Sequence, residues 1–265
     1  MKKKHTGPLI IGHRGASSIA PENTLAAFAR AIEDGADGLE FDVRLASDGV
    51  PVVIHDPTLN RTARINARVG TMSSLELTKI DVGSWFEPRQ RPAERRRRDR
   101  ERISTLAGSL EFLHEFEGPI FIELKCEEND IDELTAAVCR DLEFSPLKKQ
   151  AIVKSFKLQV IPRVKMLSPK IRTAALFAPQ IMTILRKEKH LVKIAAEFGA
   201  DELSIHYSLA TRKLMEKAEK RGLPVNVWTT DRPRWIKRAI DLGINAVITN
   251  DPARLIARRI ELQGE

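Results

Sequence analysis

Cys126 and Cys139 are the only thiols in this chain of 265 residues. Two are too few for a disulfide framework, and neither belongs to a C-x-x-C pair that would grip a soft metal. Long apolar runs are missing as well. None approaches the roughly 18 to 20 residues of a membrane-spanning helix, so a soluble globular protein is expected, with no transmembrane segment. Met1-Lys2-Lys3-Lys4 imitates the start of a signal peptide, but the apolar stretch behind it stops after a few residues at Gly12-His13-Arg14. A cytoplasmic location follows from that reading. Neither a G-x-S-x-G elbow nor a Walker loop occurs, which removes the commonest serine-hydrolase and nucleotide-binding signatures.

Acidic charge is in the minority, with 36 acidic against 44 basic residues and a formal net charge of +8. Much of the excess is local. Residues 89–102 carry eight arginines against Glu94, Asp99 and Glu101. Such a run can attract phosphates, anionic lipid or nucleic acid. Without interleaved aromatics or a nucleic-acid motif it reads as a solvated loop or helix end, and no nucleic-acid partner is expected.

What the sequence has in quantity is alternation. With 42% hydrophobic residues the chain can bury one large core. Short β-rich apolar runs fall at 9–12, 38–43, 119–124, 151–154, 171–177, 202–206, 224–229 and 245–248. Amphipathic helical patterns fall at 24–34, 105–116, 130–142, 157–167, 187–198, 211–221, 232–242 and 252–262. In the first helix Leu25, Phe28 and Ile32 repeat on one face behind the capping candidates Asn23 and Thr24. Asp231-Arg232-Pro233 supplies a cap and a first-turn proline for the seventh. Eight such units predict an α/β chain folded as a (β/α)8 TIM barrel spanning 1–265 as one domain, with a doubly wound open sheet as the alternative. One extended run breaks the order. Asp48-Gly49 is a hairpin signal, so residues 52–55 should fold back on the second strand and carry His55 towards Glu40 and Asp42. Residues 57–103 then form an insertion, far longer than an ordinary connection, placed over the catalytic face.

In Leu39-Glu40-Phe41-Asp42-Val43 the two acids share one strand face, as Glu123 and Lys125 do in Phe121-Ile122-Glu123-Leu124-Lys125. Charges on one face of an apolar barrel strand must meet a wet or ion-filled site. Three carboxylates converging at the mouth would repel one another unless a cation neutralises them, and all-oxygen donors favour Mg2+ or Ca2+. The alternative is a salt-bridge lattice with Arg14 and Lys125, but three acids exceed what two cations need. His13 and His55 join this rim as an acid and base pair. His5, His114, His190 and His206 are read as structural. A divalent ion, two histidines, an arginine and a lysine are what phosphoryl-ester cleavage requires. Gly12 and Gly15 allow a tight turn at the rim, and no role is assigned to residues 16–20.

The ordered set His13-Arg14-Gly15, Pro21-Glu22-Asn23-Thr24, Glu40-Phe41-Asp42-Val43, Asp48-Gly49, Val53-Ile54-His55-Asp56, Arg61-Thr62, Gly83-Ser84-Trp85-Phe86, Glu123-Leu124-Lys125, Val227-Trp228-Thr229 and Thr249-Asn250-Asp251-Pro252 resembles the glycerophosphodiester phosphodiesterases over nearly the whole chain. The resemblance implies a TIM barrel with an insertion after the hairpin and hydrolysis of a small-molecule glycerophosphodiester to sn-glycerol 3-phosphate and an alcohol. It also implies a divalent cation held by Glu40, Asp42 and Glu123, His13 and His55 as general acid and base, and Arg14 and Lys125 on the phosphate. Trp228 would pack on the glycerol carbons or serve the core. Trp85 and Phe86 would line an approach or anchor the insertion.

Two other classes compete with the hydrolase. One is a lysophospholipase D-like or cyclising phosphodiesterase acting on lysophospholipids or sphingolipids. The other is a binding module that has lost the chemistry, against which the intact histidines and acids argue. Within the hydrolase reading, attack by the glycerol 2-hydroxyl followed by ring opening with water is expected on proximity grounds.

Overall fold

The computed structural model describes residues 7–86, 100–181 and 189–264. Met1-Lys2-Lys3-Lys4, His5 and residues 89–99 of the arginine-rich run lie outside the described residues. Nine strands are described: β1 (Leu9–His13), β2 (Gly38–Leu45), β3 (Pro51–Val53), β4 (Ile120–Leu124), β5 (Ala151–Ser155), β6 (Arg172–Phe177), β7 (Glu202–His206), β8 (Val225–Trp228) and β9 (Ala246–Thr249). Eight of them are parallel and close on themselves. β1 pairs with β9 on one edge, Leu9 facing Ala246, and with β2 on the other, Ile11 facing Gly38. The chain is therefore a (β/α)8 barrel rather than an open sheet.

The ninth strand is the hairpin return. β3 runs antiparallel on the end of β2, with Val43 opposite Val53 and Gly49 at the turn in a left-handed conformation. The register continues one step further, since the backbone N–H of Ile54 donates to the Asp42 carbonyl. That step brings His55 to the mouth.

The outer ring is α1 (Leu25–Glu33), α4 (Leu106–Phe112), α5 (Ile131–Glu143), α6 (Val160–Leu167), α7 (Lys189–Glu197), α8 (Arg212–Glu219), α9 (Arg234–Leu242) and α10 (Pro252–Gly264). The described part of the insertion adds α2 (Asn60–Ala63) and α3 (Ser74–Leu77). Among the described residues, no helix is long and apolar enough to cross a membrane. Outward-facing strand residues such as Leu39, Phe41, Val43, Ile122 and Leu124 pack against Phe28 and Leu106 of the helices. Ile11, Phe121, Ile152, Ala174, Ala246 and Ile248 fill the barrel's interior. The insertion has a small core of its own, Leu59, Val69, Leu77, Val82 and Ile103, seated on Val52 and Ile54 of the hairpin. Burial of these apolar faces is what fixes the insertion beside the mouth.

Two expected caps serve other ends. Thr24 caps α1 by accepting from the Ala27 N–H, whereas Asn23, left-handed at φ 58°, turns its amide onto Asp42. Asp231 gives α9 no cap, and Pro233 occupies that position without a side-chain hydrogen bond. The Asp231 carboxylate accepts instead from Thr249 Oγ1 and from the backbone and side chain of Asn250.

Candidate active site

Strand alternation delivers the acids as expected. Glu40, Asp42 and Glu123 are buried, and one carboxylate oxygen of each lies within 4.8 Å of the others. Register explains the convergence, because Asp42 pairs with Glu123 across β2 and β4 while Glu40 pairs with His13 across β1 and β2. Isolated, such a group would protonate. Here burial pushes the Glu40 and Asp42 pKa values up, but the surrounding cations more than offset it and hold both carboxyls well below their ordinary range.

Among the described residues those cations number three, not two. Arg14 Nε stands 3.0 Å from Asp42 Oδ2, and Arg14 NH1 donates to Glu22 Oε1 at 2.7 Å. Lys125 Nζ is 3.2 Å from Asp42 Oδ1 and also bonds Glu123 Oε1. The third is Lys154 of β5, 2.8 Å from Glu40 Oε1 and 3.5 Å from Glu123 Oε2. The expectation that the acids outnumber their cations is thus corrected. Among the described residues, three carboxylates face three cationic side chains. Three buried carboxylates that bring oxygen atoms within 4.8 Å of one another form an all-oxygen donor set that fits a hard divalent cation, with the Lys125 and Lys154 ammonium groups beside those oxygens.

The histidines are each held from behind. The Asn250 amide nitrogen donates to Asp231 Oδ2 at 2.9 Å, so its oxygen faces the ring of His13 and accepts from Nδ1–H at 2.7 Å. Ser17 Oγ donates to the same oxygen, and the Ser18 N–H donates to the Asn250 carbonyl, which gives part of residues 16–20 a place in the fold. His13 Nε2 is left pointing at Glu40 Oε2, 3.9 Å away. On the other side His55 Nδ1 bonds Asp56 Oδ1 at 2.6 Å, and Arg61 Nε bonds Asp56 Oδ2 at 2.6 Å. Arg61 also grips Glu22 through both terminal nitrogens. The two guanidinium donors on Glu22 and the pair on Asp56 lower both pKa values against the opposing effect of burial, that of Asp56 to about 2. Burial lowers the His55 pKa, Arg14 and Lys125 add to the effect, and Asp42 opposes it. The net effect favours the neutral ring.

The turn that carries Arg14 is strained and supported. Arg14 is left-handed at φ 55°, a conformation costing about 1 kcal/mol or more for a side chain of its size. Its N–H donates to Glu40 Oε2 at 3.1 Å and its carbonyl accepts from Asn23 N–H at 3.1 Å, which holds the turn. Gly15 follows at φ 82°, and a Cβ there would stand 2.4 Å from the Ala27 carbonyl carbon.

Around the opening, the half-buried Trp228 ring meets Phe156 at 5.6 Å and His206 at 5.4 Å between centroids, both edge-on. His206 therefore belongs to the rim and not to the distant framework, because β7 and β8 pair it directly with Trp228. Trp85 Nε1 donates to the Val82 carbonyl and the Arg61 guanidinium lies 5.6 Å from the Trp85 ring centroid, so this residue anchors the insertion. The Arg44 guanidinium donates to the carbonyls of His55 and Lys125 and ties both rim segments to β2.

All eight side chains expected at the site, His13, Arg14, Glu40, Asp42, His55, Glu123, Lys125 and Trp228, are placed at one end of the barrel. Sequence reasoning missed Lys154, Asn250, Asp231, Arg44 and the amide of Asn23. Lys154 was detectable, since in Ala151-Ile152-Val153-Lys154-Ser155 it shares a face with Ile152 by the rule that exposed Glu40. Arg44 carries the same signal, two residues after Asp42 on β2, and the others carry none.

Residues 13–254 match the model of the glycerophosphoryl diester phosphodiesterase family. A glycerophosphodiester phosphodiesterase of Caldanaerobacter subterraneus is 32% identical over 251 residues, covering 94% of this chain and 96% of its own. The solved structure of an Oleispira antarctica phosphodiesterase, in complex with the product sn-glycerol-3-phosphate, is 26% identical with a TM-score of 0.83 and covers 95% of this chain and 96% of its own. A glycerophosphodiester phosphodiesterase of Agrobacterium tumefaciens is 27% identical with a TM-score of 0.75, covering 94% and 99%.

Proposed function

The chain belongs to the glycerophosphoryl diester phosphodiesterase family and is a phosphoric diester hydrolase; from that premise we propose that it cleaves glycerophosphodiesters to sn-glycerol 3-phosphate and an alcohol with the help of Mg2+ or Ca2+. The observation that carries the proposal is the meeting, at one mouth, of three carboxylates with two histidines whose Nδ1 atoms are both engaged.

In this reading Glu40, Asp42 and Glu123 would hold the divalent cation, which when bound would supply positive charge to polarise a phosphoryl oxygen. Arg14 and Lys125, both partly open to solvent, orient the remaining non-bridging oxygens. Trp228 and its aromatic neighbours cover the glycerol carbons. His55 takes the proton of the attacking hydroxyl: burial favours its neutral ring, and Asp56 stabilises the imidazolium that forms. His13 returns a proton from Nε2 to the leaving oxygen, because Asn250 occupies Nδ1–H and leaves Nε2 as the ring nitrogen that faces the acids. The attacking hydroxyl is the glycerol 2-hydroxyl, with water opening the ring afterwards.

The test is turnover of glycerophosphocholine. Release of sn-glycerol 3-phosphate with Mg2+ or Ca2+, lost with EDTA and restored by either metal, is the expected result. No turnover with either metal rules the activity out, and a cyclic phosphate as the final product points to the cyclising reaction. A substrate lacking the 2-hydroxyl should react far more slowly; equal rates assign the attack to water.

Asp56→Asn should shift the pH profile in a defined direction. The carboxylate raises the His55 pKa against the larger effect of burial. Its loss lowers that pKa further, so the acidic limb of kcat/KM moves to lower pH. The weaker base should also cost roughly ten- to a hundredfold in kcat. An acidic limb that stays in place or moves up would remove His55 from the base role.

A further inference from the structure

We propose that Lys154 is a built-in competitor for the divalent cation, a fixed ammonium that lowers the affinity of the acidic triad for metal and keeps the metal-free mouth folded. The inference rests on the reading of Glu40, Asp42 and Glu123 as the metal ligands.

Two ammonium groups bridge the three acids. Lys125 spans Asp42 and Glu123, and Lys154 spans Glu40 and Glu123. They reach the triad differently. Lys125 follows the end of β4 and keeps 14% of its side chain exposed at the rim, where a substrate phosphate could meet it. Lys154 rises from β5, level with Glu123 in the strand register, and only 2% of its side chain is exposed. Among the described residues its ion-pair partners are Glu40 and Glu123, and both are proposed metal ligands. A buried ammonium at these distances from two buried carboxylates is held in place by them, and it in turn offsets part of their mutual repulsion.

A cation entering the triad must share two of its three ligands with that fixed positive charge. Like charges a few ångströms apart in a partly desolvated site repel strongly, so neutralising Lys154 should tighten metal binding about tenfold or more. The same change leaves three carboxylates facing two cations in the metal-free protein, which should lower its melting temperature. Metal should then restore what the lysine provided. Metal dependence of folding and metal affinity would rise together, a linkage that a purely structural ion pair does not produce.

The experiment is calorimetric titration of the metal-stripped full chain with MgCl2 and CaCl2, with melting temperatures recorded with and without metal. It compares the unaltered protein with Lys154→Met, Lys154→Gln and the charge-conserving Lys154→Arg. The expected result is a Kd at least about tenfold lower in Lys154→Met and Lys154→Gln, and a larger metal-induced rise in melting temperature than in the unaltered protein. Lys154→Arg should keep a Kd close to the original. A variant that folds only when refolded with metal supports the proposal, its Kd then being read by competition with a chelator. Binding by the unaltered protein with an equal or weaker Kd in both neutral variants overturns this inference and leaves the metal site standing. No binding by any of the four overturns both.

Discussion

Glu40→Gln is expected to lower kcat/KM roughly 10²–10³-fold and to weaken metal binding in step. One carboxylate joins three parts of the site. Its Oε1 faces Lys154, and its Oε2 accepts the Arg14 N–H and lies 3.9 Å from His13 Nε2. Glutamine keeps the shape but not the charge. It therefore removes a metal ligand, the hydrogen-bonded support of the left-handed Arg14 turn in its charged form, and the main partner of a buried ammonium. Breaking a buried ion pair from one side typically costs about 3 kcal/mol or more, so the metal-free variant should also melt at lower temperature. Calorimetric Kd, kcat/KM at saturating metal and melting temperature separate these effects. Activity retained by the variant without added metal would contradict the assignment of Glu40 as a ligand.

His55→Ala should cost about 10²–10⁴-fold in kcat with little change in metal affinity or melting temperature. The side chain is 31% exposed and touches the triad only through the field of Asp42, so the fold does not depend on it. The pairing with His13 makes the experiment sharper. If His13 is the acid, His13→Ala should recover much of its loss on a glycerol phosphodiester of a nitrophenol, whose leaving oxygen needs no proton. His55→Ala should recover nothing on the same substrate, because the attacking hydroxyl still needs a base. Recovery by His55→Ala with none by His13→Ala would exchange the two roles, and the Asn250 and Asp56 contacts would then need the opposite interpretation.

Both variants concern residues that could be read in the chain, and the reason is periodicity. Glu40 and Asp42 stand two apart in an apolar strand, and that spacing alone requires a shared face. The Asp48-Gly49 turn fixed the direction of β3 and with it the side on which His55 arrives. Asn23 and Asp231 looked like helix caps because local chemistry is all that capping signals report. Their side chains instead bond Asp42 and Asn250, 19 residues away in both cases. Asn250 reaches His13 across 237 positions, a contact that follows from β9 closing against β1.

The sequence by itself determined the order of strands and helices, the hairpin, the faces on which the acids lie and the identity of the two histidines. Each of these is set within a few residues by backbone geometry and burial. Only the tertiary structure decided the charge balance of the mouth. Alternation says which face of a strand a side chain takes, but not which side chains from other strands will share that face. Closure of the barrel brought Lys154 level with Glu123 and against Glu40, and so turned an apparent excess of acid into a balanced cluster. Charge interactions inside a barrel depend on separations of a few ångströms, and those separations come from register and closure.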